Sequence, residues 1–147
     1  MLVSCPQCHK RNRIAAANLI RHVRCGSCQH DLAPIAHPID ADPETFDEIA
    51  RDAGVPVLVD FWAAWCGPCR MAAPEVKKTA ETMAGRALVL KVDTERHPEL
   101  AGRYHVSGIP HFAVLDGGEV VFERSGVTPH NEMTRWLESA LQARARA

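Results

Sequence analysis

The six cysteines of this chain fall into three Cys-x-x-Cys pairs, and their spacing separates two kinds of chemistry. Two of the pairs lie near the N-terminus in the order Cys5-x2-Cys8-x16-Cys25-x2-Cys28. This is the spacing of four thiolates around one tetrahedral zinc ion, with no ligand position left for a water molecule. The N-terminal cysteines therefore predict one structural Zn²⁺ rather than a hydrolytic metal centre.

The third pair, Cys66 and Cys69, has no second pair with which to complete a metal site. It follows an apolar, β-branched stretch and precedes a helical pattern, so Cys66 lies at a predicted helix N-terminus. Unpaired backbone N–H groups and the helix dipole stabilise a thiolate there, and a thiolate is the form that attacks a disulfide. Cys66 is thus the predicted nucleophile. Cys69, one helical turn further, is the predicted resolving cysteine that attacks the mixed disulfide.

Asp60 is the predicted proton acceptor for Cys69. It lies in the apolar run Val57–Phe61, where desolvation would raise the pKa of a carboxyl group and make it a usable base near neutral pH. A solvated acid on an alternating strand is the alternative interpretation. The apolar residues on both sides of Asp60 argue against it, because they leave the strand no polar face.

The elements that must position these side chains are predicted from residue 42 onwards. Local patterns predict the order α-β-α-β-α-β-β-α, which is an α/β fold with a central mixed sheet flanked by helices. The first predicted helix begins at Pro43 after its cap Asp42, the second begins after Cys66, the third runs from Pro98 to Val106, and the last begins after the cap Thr128. The predicted strands are 55–62, 87–93, 111–115 and 119–124. Asp116-Gly117-Gly118 predicts the hairpin turn between the last two strands.

Residues 1–32 contain few large apolar side chains, so this segment is predicted to be a module that needs zinc to fold. Residues 33–42 are rich in proline and predict a linker that has room for one short edge strand. Residues 43–147 are then the second, larger domain.

The composition predicts the location of the protein and one class of partner that it is not expected to bind. Hydrophobic residues make up 46% of the chain and charged residues 24%, and no apolar run approaches the ~18 residues needed to cross a bilayer. With no export signal, the expected location is the cytoplasm, away from the membrane. Residues 1–30 carry five basic residues and no acid, but four thiolates and one zinc ion would contribute −2, and no aromatic side chain is present to stack a base. Nucleic acid is therefore not an expected partner.

Several short motifs together resemble the thioredoxin family from residue 43 to the end of the chain. They are the run Val59–Met71 with its Trp-Cys-Gly-Pro-Cys core, Pro74, Lys91-Val92-Asp93, Ile109-Pro110 and Gly117-Gly118-Glu119. The four-cysteine extension makes the whole chain similar to the bacterial thioredoxin-2 type. The resemblance implies a thioredoxin fold preceded by a small zinc-ribbon-like module.

The same resemblance implies a protein-disulfide reductase in which Cys66 and Cys69 alternate between dithiol and disulfide. Thioredoxin reductase and NADPH would recharge the pair, disulfide-containing client proteins would be the substrates, and no organic cofactor would be bound. Pro110 is implied to be cis and packed beside Cys66, with the backbone of Ile109 pairing with the client. Pro68, which follows Gly67 between the two cysteines, favours a reducing couple in this family.

Three further residues complete the predicted surroundings of the active site. Trp65, beside the nucleophile, is expected to form part of the contact surface. The family resemblance suggests that Lys91 tunes Asp60 electrostatically. The alternative is that its ammonium group points into solvent and does not affect Asp60. His111 stands where thioredoxins commonly have threonine. It is expected either to stabilise the Cys66 thiolate or alter substrate fit, or to be a partly exposed residue with no kinetic role.

Other functions are open at this stage. A disulfide oxidase or isomerase uses the same chemistry in the opposite direction, but Pro68 and the missing export signal argue against it. The chain is alternatively an interaction module, with the zinc ribbon as its working part on a thioredoxin scaffold. The zinc module itself is either a passive structural element or a redox sensor that loses zinc when its thiolates are oxidised.

Overall fold

The computed structural model describes residues 1–146, and in that range the chain forms nine strands and four α-helices. The strands are β1 (Leu2–Ser4), β2 (Arg11–Arg13), β3 (Val23–Arg24), β4 (Asp31–Ala33), β5 (Ile39–Asp40), β6 (Val57–Trp62), β7 (Leu88–Asp93), β8 (His111–Asp116) and β9 (Glu119–Ser125). The helices are α1 (Pro43–Asp52), α2 (Gly67–Thr82), α3 (Pro98–Arg103) and α4 (His130–Arg146). None of the helices described within residues 1–146 is long and apolar enough to cross a membrane.

The central sheet has five strands in the order β5-β7-β6-β8-β9. Strands β5, β7 and β6 run parallel, whereas β8 and β9 run antiparallel to their neighbours. Gly117 and Gly118 turn the β8–β9 hairpin with positive φ angles of 61° and 84°, which glycine adopts without steric cost. This confirms the predicted central mixed sheet and the predicted order of elements.

Helices cover both faces of the sheet, and the alternation of side chains along β6 decides which residues face which helices. Val57, Val59 and Phe61 belong to the core cluster that contains side chains of α1 and α3. Leu58 belongs instead to the cluster formed with α2 and α4. Asp60 is two residues after Leu58 and points to the same face of the strand, so its carboxyl group lies on the face of the sheet covered by α2.

The first 33 residues form two short antiparallel ribbons, β1–β2 and β3–β4. A Cys-x-x-Cys pair lies in the turn of each ribbon. The two turns are built alike, since His9 N–H donates to the Cys5 carbonyl and Gln29 N–H donates to the Cys25 carbonyl, at 2.9 and 3.0 Å. His9 and Gln29 both adopt positive φ angles, 66° and 67°. The turns therefore present their cysteines with the same local geometry.

The apolar side chains of the N-terminal module do not form a separate core. Ile14 and Leu19 are buried in the same cluster as Phe46 and Ile49 of α1. Ile39 and Asp40 of the predicted linker pair with β7 as the outer strand of the central sheet. The module therefore packs directly on the larger part of the protein, and the division into residues 1–32, 33–42 and 43–147 stays a prediction.

Several boundaries differ by one or more residues from the sequence prediction, and three of the differences have a local cause. Strand β6 begins at Val57, because Pro56 has no N–H group to contribute to the ladder. Helix α3 ends at Arg103, and His105 then takes a positive φ of 54°, which a helix does not allow. Helix α4 begins at His130, one residue later than a cap at Thr128 predicts, because the first intrahelical hydrogen bonds run from the Glu132 and Met133 N–H groups to the Pro129 carbonyl.

Candidate active site and metal centre

Cys66 and Cys69 lie at the junction between the central strand β6 and helix α2. Cys66 is the N-cap of α2, and Cys69 is in the first turn of the helix. The two cysteines form a disulfide, and their Cα atoms are 5.2 Å apart. The Cys69 N–H donates to Cys66 Sγ at 3.1 Å. The helix N-terminus therefore directs a hydrogen-bond donor at the predicted nucleophile, as expected from the sequence.

A groove of about 430 Å³ opens beside the disulfide. Its lining comprises Trp65, Cys66, Gly67, Pro68, Thr94, Ala101 and the segment 106–109. The Ile109–Pro110 peptide bond is cis, as the family resemblance implied. The carbonyl oxygen of Ile109 lies 3.8 Å from Cys66 Sγ. A polypeptide docked along Ile109 would therefore pass directly over the reactive sulfur.

Trp65 forms an exposed wall of this groove. The residue is 65% exposed, and its indole Nε1 donates to the Glu95 carboxylate at 2.9 Å. A large apolar side chain fixed in solvent is typical of a contact surface, because a protein partner can bury it without first ordering it. No sequence pattern pointed to Glu95, which approaches Trp65 only through the fold.

Asp60 is buried in the centre of the sheet, as predicted. The residue is 2% exposed, and its Oδ1 has no hydrogen-bond partner among residues 1–146. Burial raises the pKa of Asp60 to about 7, and the positive charge of Lys91 partly offsets the effect. A carboxyl group in this state can take up or release a proton near neutral pH.

Lys91 lies directly opposite Asp60 in the register between β6 and β7. Its ammonium group lies 4.4 Å from the centre of the Trp62 ring, a cation–π geometry. Lys91 and Trp62 also line a polar cavity of about 390 Å³ with Asp40, Asp42, Asp93, Arg96 and His97. The structure thus places the lysine near both the buried acid and a solvent-accessible space.

His111 is the first residue of β8 and follows the cis proline. Its Nδ1 lies 2.7 Å from the Ser125 hydroxyl and its Nε2 lies 3.3 Å from the Glu123 carboxylate. Both ring nitrogens therefore face side chains of β9. The sequence offered no way to foresee these partners, since they come from the cross-strand register of the hairpin.

The four N-terminal cysteines come together as predicted. All four sulfur atoms lie within 4.8 Å of one another, with 3.5 Å between Cys5 and Cys28 and 3.6 Å between Cys8 and Cys25. Sulfurs bound tetrahedrally at ~2.3 Å from one zinc ion would be separated by about 3.8 Å. The donor set and its dimensions therefore fit one zinc ion with four thiolate ligands, the pattern of a zinc ribbon.

Asn12, which sequence analysis did not single out, braces one side of this cluster. Its Nδ2 lies 3.5 Å from Cys25 Sγ, and its Oδ1 accepts from the Gly26 N–H at 3.0 Å. The N–H groups of Cys28 and Ser27 also point at Cys25 and lower its pKa to about 6, against the opposing effect of burial. Because Asn12 belongs to β2, it links the first ribbon to the cysteine turn of the second.

Comparison with known proteins identifies the family. The thioredoxin family model matches residues 37–139. Thioredoxin C-3 of Corynebacterium nephridii is 33% identical over 97% of this chain and 97% of its own length. Thioredoxin 1 of Chlorobaculum tepidum is 39% identical over 67% of this chain and 97% of its own. The similarity to Thioredoxin C-3 thus extends into the residues that precede the family match.

The solved structures agree with the sequence comparison. A mutant thioredoxin from Halobacterium salinarum superposes with a TM-score of 0.68 at 33% identity, over 74% of this chain and 95% of that one. The spinach chloroplast thioredoxin f superposes with a TM-score of 0.66 at 29% identity, over 72% of this chain and 88% of that one. The chain therefore has a thioredoxin fold with an N-terminal four-cysteine cluster, and it belongs to the thioredoxin family of protein-disulfide oxidoreductases.

Proposed function

We propose that this protein is a cytosolic protein-disulfide reductase that thioredoxin reductase recharges with electrons from NADPH. The observation that carries the proposal is the disulfide between Cys66 and Cys69 at the start of α2, beside a groove whose edge is the Ile109–Pro110 segment. This is the oxidised form of a dithiol couple, and Cys66 lines the groove in which we propose that a client protein docks.

The reaction begins with the Cys66 thiolate. It attacks one sulfur of a client disulfide, which forms a mixed disulfide and releases the first client thiolate. The Cys69 thiol then loses its proton, and the resulting thiolate attacks Cys66 Sγ. The mixed disulfide breaks, the second client thiolate leaves, and the Cys66–Cys69 disulfide is formed. Two electrons have passed to the client, and the reductase restores them.

Asp60 is the proposed acceptor of the Cys69 proton. Its pKa of about 7 allows the carboxylate to take a proton near neutral pH and return it later. Lys91 favours the ionised form of this carboxyl group and so keeps it available as a base. Lys91 also lines a solvent-accessible cavity, so the charge that tunes the buried acid lies close to water.

The groove is the proposed docking site for the client. Ile109 offers its backbone beside Cys66 Sγ, and cis Pro110 fixes the direction of that segment. Trp65, Gly67 and Pro68 form the remaining walls around the reactive sulfur. A client chain lying along Ile109 would bring its disulfide to the side of Cys66 that lines the groove.

Cys5, Cys8, Cys25 and Cys28 are the proposed ligands of one structural zinc ion. Four thiolates would complete its coordination, so the ion would supply folding energy to the module and no reactive position. The fit of the four sulfurs to a tetrahedral site supports this assignment. No organic cofactor is needed for the proposed reaction.

The test is reduction of insulin by the purified protein with thioredoxin reductase and NADPH. We expect turnover by the native protein, none by Cys66→Ser, and a trapped client mixed disulfide with Cys69→Ser. A Cys66→Ser protein that kept full biological activity would instead favour the interaction-module alternative. Failure of the native protein to turn over insulin would contradict the proposal.

A further inference from the structure

We propose that His111 is a positioning residue that braces the client-docking segment Ile109–Pro110 against strand β9. This inference rests on the function proposed above, because it concerns the segment on which the client would dock. It assigns His111 a role that does not involve direct contact with Cys66.

The edge strand β9 needs such a brace at the end nearest the active site. Within residues 1–146, β9 pairs with β8 alone, and nearly all of its residues are exposed. Strand ends with one neighbour and little buried surface open readily. The end of β9 is nonetheless attached to the docking segment, since the Gly126 N–H donates to the Pro110 carbonyl at 2.8 Å.

His111 connects these two parts through its side chain. Because a carboxylate only accepts, Nε2–H donates to Glu123 at 3.3 Å, and Nδ1 shares a hydrogen bond of 2.7 Å with the Ser125 hydroxyl. The His111 side chain is 12% exposed, whereas the Glu123 side chain is 52% exposed and Ser125 is also exposed, so a largely buried ring binds two residues at the exposed edge of the sheet. One imidazole thus holds two residues of the edge strand.

The opposite side of the same ring is also fixed. The His111 ring lies 6.0 Å from the Phe61 ring, and Phe61 is fully buried in the core beneath α1 and α3. His111 and Phe61 are direct partners in the β6–β8 ladder. The imidazole therefore connects the rigid core with the end of β9. The hydrogen bond from Gly126 then connects that end of β9 with the Pro110 carbonyl.

The experiment compares a protein client with a small disulfide. In His111→Thr and Ser125→Ala, we expect the KM for insulin to rise about threefold to tenfold, as for loss of one or two positioning hydrogen bonds, with kcat nearly unchanged. The reaction with 5,5′-dithiobis(2-nitrobenzoate), which is too small to need the docking segment, should keep its rate. His111→Asn retains an amide group near the position of Nδ1 that can donate or accept, and it should restore most of the insulin KM.

Hydrogen exchange of the Gly126 amide supplies a readout that is independent of activity. We expect it to become faster in His111→Thr and Ser125→Ala, and to be unchanged in Glu119→Gln, an exposed substitution at the other end of β9. An unchanged insulin KM, or an equal loss with both substrates, would overturn the inference. A native protein that reduced neither substrate would refute the proposed function, while the exchange rates would still decide whether His111 braces the segment.

Discussion

Asp60 is the residue whose ionisation connects the chemistry of the site with the stability of the fold. We predict that Asp60→Asn slows the resolving step, because Cys69 then lacks its proton acceptor. General-base assistance typically contributes about 10²–10⁴-fold, so resolution of a preformed mixed disulfide should slow by at least tenfold near pH 7. Single-turnover kinetics of that step measure the effect. An unchanged resolution rate would exclude Asp60 as the base.

The same substitution should stabilise the protein in a pH-dependent way. The folded-state pKa of Asp60 is raised from 3.8 to about 7, so stability declines as the pH rises through that window and is constant above it. Asp60→Asn should therefore increase the free energy of unfolding more at pH 8 than at pH 4.5, by on the order of a few kcal/mol. Urea denaturation at both pH values tests this. Glu81→Gln, an exposed acid on α2, is the control and should show no such difference.

Asn12 should matter for the metal and not for the redox reaction. Loss of a side chain that orients a metal ligand typically lowers metal affinity about 10–100-fold. We predict a loss of this size in Asn12→Ala, measured by competition with a zinc chelator. Asn18→Ala, an exposed asparagine of the same module, is the matched control. Equal zinc affinity in both variants would show that Asn12 does not orient Cys25.

Among the individual residues of the site, the sequence was sufficient to predict those whose role follows from local context. The helix start at Cys66, the apolar run around Asp60 and the paired cysteine turns were all visible in it. Asn12, Glu95 and the partners of His111 were not, because their contacts join segments far apart in the chain. Their detection required the register of the strands and the packing of the module.

The N-terminal module and helix α1 share one hydrophobic core. Leu19 is fully buried in the shared core, so Leu19→Ala should destabilise the protein by about 2–5 kcal/mol. All three tryptophans lie outside residues 1–32, so their fluorescence reports on the larger part of the protein. We expect the variant to lower the midpoint of the fluorescence transition.

The control for this prediction is Leu2→Ala, since Leu2 belongs to the same module but is 44% exposed. It should leave the midpoint nearly unchanged. If Leu19→Ala also left the midpoint of the fluorescence transition unchanged, the two parts of the protein would unfold independently. In that case the shared core would contribute little to the stability of α1.

Sequence patterns predicted the kind and order of the elements better than their ends. Hydrophobic periodicity and turn residues were sufficient for the strands and helices from α1 onwards. The predicted start of α4 was one residue too early, because the Pro129 carbonyl and not that of Thr128 accepts the first intrahelical hydrogen bonds, which a capping rule alone does not distinguish. The short ribbons of the module showed no periodic signal, since each strand there has only two or three residues.

For the whole molecule, the shared core predicts that zinc and the redox domain are coupled through stability. Removal of zinc from the oxidised protein, whose Cys66–Cys69 disulfide does not bind metal, should lower the midpoint of the tryptophan transition. Thermal unfolding with and without a chelator measures this, and zinc analysis confirms the loading. A midpoint that is independent of the metal would contradict the coupling. A freshly reduced protein without zinc would contradict the metal assignment itself.

The overall architecture could be predicted from the sequence because the motifs of one family cover residues 43 onwards. What the sequence could not provide was the relation between its two parts. Whether Leu19 packs within the module or on Ile49 depends on surface complementarity, which no local pattern encodes. The same limit applies to the outer strand, since Ile39 and Asp40 have their partners about 50 residues later, at Leu90 and Lys91.

That outer strand restricts where the protein can be shortened. A polypeptide beginning at residue 43 would lack Ile39 and Asp40, and Leu90 and Lys91 of β7 would lose their backbone partners on that side. Unsatisfied strand edges of this kind recruit other chains and lead to aggregation. A polypeptide beginning a few residues before Ile39 would retain the strand. Proteolytic trimming past Asp40 should therefore yield a poorly soluble fragment, even though every residue of the redox centre would be present.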